Sequence, residues 1–208
     1  EHGLPIAIKD LASTTGLRTS FGSPIFADFV PQEDDFFVER IRDAGAIIIG
    51  KTNVPEFGLG SNTYNSVFGP TLNAFDPALT AGGAAGGAAV ALALELVPVA
   101  DGSDFGGSRR NPAGWNNVYG LRTSAGRIPG GGFQIDFSVT GPMARNVPDL
   151  AHLLSVQAGP DLSAPISIDE DPSIFAGSLA MTVKGTRIGW LGNFGSLPME
   201  AGVLELCR

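Results

Sequence analysis

The sequence predicts an α/β fold in which helices cover a parallel or mixed β-sheet, and three observations lead there. First, an amphipathic pattern with Asp34 and Asp35 at its start and Phe37, Ile41 and Ala44 on one face stops at Gly45 and runs directly into Ala46-Ile47-Ile48-Ile49-Gly50. A wholly apolar strand of this kind is one that helices bury on both faces. Second, the glycine-rich stretch 82–87 opens into a small-residue helix over 88–96, able to lie very close to a sheet. Third, 208 residues with 43% hydrophobic and 16% charged side chains have the composition of a chain with a sizeable core, in one large domain or two small ones.

The remaining elements follow in chain order. Residues 4–11 are a short apolar run ending in charge, which reads as a buried strand delivering Lys9 at its carboxyl end. Residues 12–32 are turn-rich, with Gly16, Gly22, Pro24 and Pro31 as punctuation. In the helix that follows, the aspartates meet the positive end of the helix dipole and Gly45 takes the left-handed C-terminal cap. Beyond the apolar strand, Pro55 stands in the first turn of a short helix. Residues 58–83 form a long ordered loop, which in a compact domain usually carries function.

Val97-Pro98-Val99-Ala100 is a strand that runs into the turn 101–112. A buried segment is expected through Val118-Tyr119-Gly120-Leu121, and a turn at Pro129-Gly130-Gly131-Gly132. Residues 148–158 make an amphipathic helix with Leu150, Leu153, Leu154 and Ala158 on one side, closed by Gly159. The chain thus divides into a core over 1–158, an acidic loop over 159–178, and the start of a further α/β segment over 179–208 in which 186–191 is a strand.

Charge and composition exclude several classes of function. A net charge of −8 offers no basic face for a phosphate backbone, so no nucleic acid partner is expected. The longest apolar run, 84–100, is broken by glycine and Glu95 and is too short to span a membrane. Cys207, the one cysteine, can form no internal disulfide, which fits a reducing, cytoplasmic compartment. No Cys/His spacing suggests a metal, and no cofactor is expected. A phosphate or dinucleotide site at 82–87 would lack the Gly-Lys-Ser/Thr ending and the later acidic residue that such sites use.

Candidate chemistry concentrates in Asp101-Gly102-Ser103-Asp104-Phe105-Gly106-Gly107-Ser108-Arg109-Arg110-Asn111-Pro112. Gly106 and Gly107 remove side-chain bulk where backbone N–H groups converge, and Ser108 follows them directly. That is the arrangement of a nucleophile beside an oxyanion hole, in which losing one donor typically costs ~10²–10³ in rate. A serine hydroxyl is a weak nucleophile and needs a base. Lys9 qualifies if burial among Ile6, Ile8 and Leu11 keeps its amine neutral; a surface ion pair with Asp10 would be its ordinary use. His2 lies at the terminus and His152 in mid-helix, so no histidine base is expected.

Lys9, the loop Gly82-Gly83-x-x-Gly86-Gly87 and the string Gly102-x-Asp104-x-Gly106-Gly107-Ser108-x-Arg110-x-Pro112 occur in an order and spacing that resemble the amidase signature family. Gly50-Lys51-Thr52-Asn53, Gly69-Pro70-Thr71-x-Asn73, Gly120-Leu121-Arg122 and Gly141-Pro142-Met143-Ala144-Arg145 extend the likeness across most of the chain. The resemblance implies an α/β/α fold with a mixed central sheet flanked by helices, incomplete here at both ends. It also implies hydrolysis of carboxamides through an acyl-enzyme by a Ser–cis-Ser–Lys triad. Position by position, it makes Lys9 the base, Ser108 the nucleophile, and the backbone of Phe105, Gly106, Gly107 and Ser108 the oxyanion hole, with Asp104 and Arg110 holding the turn.

One departure from the family pattern bears on activity. The serine that relays the proton falls at Ala84, and its neighbour, usually also serine, at Ala85. Neither can pass a proton, so a large part of the ~10²–10⁴ supplied by general acid–base catalysis is expected to be missing. The expected substrate is a small-molecule amide. The alternatives are the A subunit of a glutamine-dependent amidotransferase, working with partner chains, and a catalytically dead binding form of the family. A homodimer and association with the remainder of a longer enzyme are the assemblies that the resemblance leaves open.

Overall fold

Apolar runs at 4–11, 46–50 and 97–100 become neighbouring strands of one sheet. Its order is β2 (Ile47–Thr52), β1 (Pro5–Lys9), β5 (Val99–Asp104), β7 (Val139–Ala144) and β6 (Tyr119–Gly120). β2, β1 and β5 run parallel, while β7 is antiparallel to both β5 and β6, so the sheet is mixed. A separate two-stranded hairpin, β3 (Tyr64–Asn65) and β4 (Gly69–Pro70), supplies the strands within the long loop 58–83. The computed structural model describes residues 2–130 and 137–207, in two units, Glu1–Gly177 and Ser178–Arg208. Gly131 and Gly132 of the expected glycine turn lie outside the described residues.

Parallel pairing puts the carboxyl ends of β2, β1 and β5 on one edge of the sheet, where ligands bind in open α/β folds. Lys9 ends β1 opposite Thr52 of β2, and Asp104 ends β5. The functional stretch predicted from sequence therefore takes in the last four residues of β5 and the turn that follows them.

Two helical layers sandwich the sheet. On one face, Ile6, Ile8, Val99 and Ala144 pack against Phe37, Val38 and Ile41 of α1 (Phe36–Asp43) and Leu150, Leu153 and Leu154 of α4 (Val147–Gln157). On the other, Ala7, Ala100 and Met143 meet Ala88, Ala89 and Leu92 of α2 (Gly86–Ala93) and Ala113 of α3 (Arg110–Trp115). Small side chains on α2 let its backbone approach the sheet; a β-carbon on Gly87 would lie 2.7 Å from the Asn53 carbonyl oxygen. Gly45 ends the α1 turn at φ +82°, and Asn146 caps α4 by accepting the Asp149 N–H at 2.9 Å.

Several expectations are corrected. β2 is not covered on both faces: it is the sheet's edge, and Ile47 and Ile49 are 56% and 55% exposed. The segment at 118–121 is a short edge strand and not a buried one, with Tyr119 half exposed, because β7 borders it on one side only. The acidic loop after α4 is held against the rest of the first unit. Phe175 packs on the core, Arg40 donates to the Pro160 carbonyl at 2.9 Å, and Ile168 N–H donates to the Gly126 carbonyl at 3.0 Å. Its apolar residues anchor it despite the surrounding acids.

The second unit contains turns and one short helix, α5 (Val203–Leu206). The strand expected over 186–191 is absent: these residues make no ladder with another strand, and a strand exists only through such pairing. Among the described residues no helix is long and apolar enough to cross a membrane.

Candidate active site

β1 delivers Lys9 into the interior, where only 1% of it is exposed. Its backbone N–H donates to Asp101 Oδ1 at 2.8 Å, and its Nζ meets Ser103 Oγ at 2.8 Å and the Ser103 carbonyl at 3.4 Å. Asp10 is not its ion-pair partner, because that carboxylate accepts the N–H and hydroxyl of Ser20. Burial drives the Lys9 ammonium down from 10.5 to about 7 against the pull of Asp101 and Asp104, with Arg109 assisting. An appreciable neutral fraction therefore exists near neutral pH.

β5 delivers the other half of the site. Past Asp104 the chain turns back through Phe105, Gly106 and Gly107 to Ser108, and the Asp104 carboxylate is the hub of that turn. It accepts the Gly107 N–H at 2.8 Å, the Arg110 N–H at 3.3 Å and the Arg110 Nε–H at 2.9 Å, and it pairs with Arg122 at 3.3 Å. Burial alone would raise this carboxyl, but the Arg110 side chain and the backbone donors outweigh it and hold it well below the usual range. The turn is thereby locked in its ionised form.

This hub alters one expectation. Gly107 spends its N–H on Asp104 and so is not a free donor, because its φ of +112° turns the amide inward. Among the described residues the N–H groups of Phe105, Gly106 and Ser108 have no acceptor, and neither does the Ser108 hydroxyl. They line a pocket of about 270 Å³ that is closed by Leu59, Ser61, Gly83 and Asn111.

The glycine-rich loop packs directly on Ser108. Ala85 N–H donates to the Ser108 carbonyl at 2.9 Å, Gly83 N–H donates to the Ser61 carbonyl at 2.7 Å, and Thr63 Oγ1 donates to the Gly83 carbonyl at 2.7 Å. With φ at +51°, Gly83 could not be replaced: a β-carbon there would lie 2.8 Å from the Ser108 carbonyl oxygen. Gly82 N–H also has an acceptor within the protein, Thr80 Oγ1 at 3.1 Å. Ala84 and Ala85 are buried. Every peptide bond among the described residues is trans, which departs from the cis bond that the resemblance implies at this loop. Gly82 and Gly83 make the bend there with φ of +78° and +51°.

The family model described as Amidase matches residues 2–208. This chain belongs to the amidase family. Among relatives, the A subunit of glutamyl-tRNA(Gln) amidotransferase from Thermus thermophilus is 47% identical over 190 residues, which cover 90% of this chain and 40% of that protein. An acylamidase of Rhodococcus erythropolis is 39% identical over 209 residues, covering 99% and 44%. The peptide amidase of Stenotrophomonas maltophilia superposes with a TM-score of 0.74 at 36% identity over 80% of this chain and 36% of that one. A bacterial aryl acylamidase of the amidase signature family gives 0.77 at 33% identity over 82% and 38%. The chain thus spans about two-fifths of the length of the relatives it matches.

Within this amidase-family site, sequence reasoning missed two groups. Ser103 holds the Lys9 amine; the signal was its place at the carboxyl end of the strand next to β1. Lys51 is a second, half-buried lysine whose Nζ donates to Thr14 Oγ1 at 2.7 Å and Thr19 Oγ1 at 3.1 Å, tying down the turn-rich stretch after β1. The structure brings Lys9 to Ser103, and the glycine-rich loop to Ser108. It makes no hydrogen bond between Lys9 and Ser108 themselves.

Proposed function

We propose that the chain carries the hydrolytic centre of an amidase, with Ser108 as nucleophile and Lys9 as base, and that Ala84 slows it. The observation that supports this best is the desolvated Lys9 amine, brought down to about 7 at the carboxyl edge of the sheet that also carries Ser108. In the reaction, Ser108 Oγ bonds to the amide carbonyl carbon as its proton passes to the neutral Lys9 amine. Phe105, Gly106 and Ser108 N–H groups stabilise the oxyanion. Collapse breaks the C–N bond, the Lys9 ammonium returns its proton to the departing nitrogen, and an acyl-Ser108 ester remains. Water then gives a proton to the same amine and adds to the ester carbon; the bond from that carbon to Ser108 Oγ breaks, the Lys9 ammonium returns its proton to Oγ, and the carboxylic acid leaves.

Between Lys9 and Ser108 the proton needs a hydroxyl or a water, and Ala84 offers a methyl. Ala84→Ser should therefore raise amide hydrolysis, or the rate at which a phosphonate probe labels Ser108, by about two orders of magnitude, within the general-base range. Lys9→Met should abolish that gain. Equal rates for Ala84→Ser with and without Lys9 would refute the mechanism and leave the family assignment standing.

The 47% identity to the A subunit of an amidotransferase favours a second reading, in which the same centre serves a partner chain. Ammonia released by the Ala84→Ser chain alone supports the simple hydrolase; release only with added partner chains supports the second reading. A binding-only form is supported by no turnover and no Ser108 labelling even after Ala84→Ser.

A further inference from the structure

The reaction makes no use of Arg109, yet Arg109 is the largest fully buried side chain among the described residues. Three glycines on three neighbouring strands cut a trough for it. A β-carbon on Gly102 of β5 would lie 3.1 Å from its Cδ, one on Gly120 of β6 3.1 Å from its Cγ, and one on Gly141 of β7 would strike the guanidinium. Gly102 and Gly141 are paired in register across β5 and β7, so the trough crosses the sheet where those strands meet. Nη1 donates to the Gly102 carbonyl at 2.8 Å. Nε and Nη2 are buried and have no hydrogen-bond partner among the described residues.

Such an arrangement costs stability. Buried donors left unmet carry a desolvation penalty, and apolar side chains of similar volume in place of buried charges are often neutral or stabilising. The charge therefore calls for a purpose other than folding, and its neighbours supply one. Arg109 and Lys9 attach to consecutive residues of β5, the first to the Gly102 carbonyl and the second to Ser103. The charges that act on the Lys9 amine are Asp101 and Asp104 of β5 and Arg109 of the turn before α3, and Lys51 of β2 acts on Asp101 in turn. Two carboxylates alone would favour the ammonium, which cannot accept a proton.

We propose that Arg109 is a positioning residue whose buried charge keeps the Lys9 amine in its proton-accepting form. The inference rests on Lys9 being the base. It is supported by the directions of the titrations: burial first, then Arg109, lower Lys9 against Asp101 and Asp104, while Arg109 itself, brought down to about 10 by its own burial, stays charged at pH 7.

The test is a titration of lysine side chains by NMR in the whole chain carrying ¹³C-lysine. The sequence has three lysines, Lys9, Lys51 and Lys184, and Lys9→Met identifies the signal of the first. In Arg109→Met the Lys9 midpoint should rise, so that the neutral fraction at pH 7 falls about tenfold. Arg109→Lys, which keeps a charge in the trough, should leave it in place. Arg109→Met should also melt at or above the wild-type temperature. An unmoved midpoint in folded Arg109→Met, equal shifts in both variants, or an Arg109→Met chain that fails to fold would each overturn the proposal, the last by showing that the charge is structural. Ser108 labelling indifferent to Lys9→Met would instead sink the base assignment, and the titration would still report the coupling of the two charges.

Discussion

At the scale of single residues, the site holds a cation where a cation is costly, and stability against pH should show it. Lys9 titrates at about 7 in the folded chain and near 10.5 when unfolded, so between those values the unfolded chain binds more protons. The cost of burying Lys9 is fully present below pH 7, where both states are protonated. Between about 7 and 10.5 the unfolded chain binds a proton that the folded chain does not, so the unfavourable contribution of Lys9 to folding grows as pH falls through that window and fades as pH rises toward the unfolded value. Lys9→Met removes this dependence. It should raise the melting temperature at pH 6 by several degrees, at about 2–4 °C per kcal/mol for a chain of this size, and the gain over wild type should be smaller at pH 10, where most of the penalty has gone. Calorimetry at the two pH values checks this; equal gains at both would show that Lys9 is not desolvated. The same residue should lose all Ser108 labelling on conversion to methionine, so stability and function trade against each other at one side chain.

At the scale of elements, the glycine-rich loop and α2 owe their position to absent side chains. Gly87 touches the backbone of Asn53 at the end of β2, so Gly87→Ala should push helix from strand and cost roughly 1–3 kcal/mol, the range for overpacking. Gly106 has a negative φ and nothing within 4 Å of its missing β-carbon, so Gly106→Ala should leave the midpoint of urea unfolding unchanged. Similar losses for both would mean that close approach to Asn53 is not what fixes Gly87. These elements also show what the sequence could and could not reveal. The strand ending at Lys9, the Gly45 cap and the apolar side of α4 were legible because each is a local pattern of spacing and capping. The exposure of Ile47 and Ile49, the hold of Ser103 on Lys9, the spending of the Gly107 N–H on Asp104 and the burial of Arg109 depend on which strands become neighbours, and no local pattern records that.

At the scale of the whole molecule, the layers explain why the two units should differ under stress. The first unit has a sheet with helices packed on both faces and a core that runs from Ile6 to Leu154. The second has no strand among its described residues and one four-residue helix, and Met181, Ile188, Leu191 and Leu206 are all more than 70% exposed. Segments that bury so little apolar surface open at low free energy and are cut first by proteases, whereas core strands open only with global unfolding. Limited proteolysis should therefore cleave first after Gly177, leaving a resistant fragment that keeps β1, β5 and the Ser108 turn. A chain ended at Gly177 should melt within about 2 °C of the intact chain, a shift worth under about 1 kcal/mol, and should keep the Lys9 titration near 7. First cleavage within 82–108, or loss of cooperative melting on removal of 178–208, would show that the second unit carries part of the stability of the site.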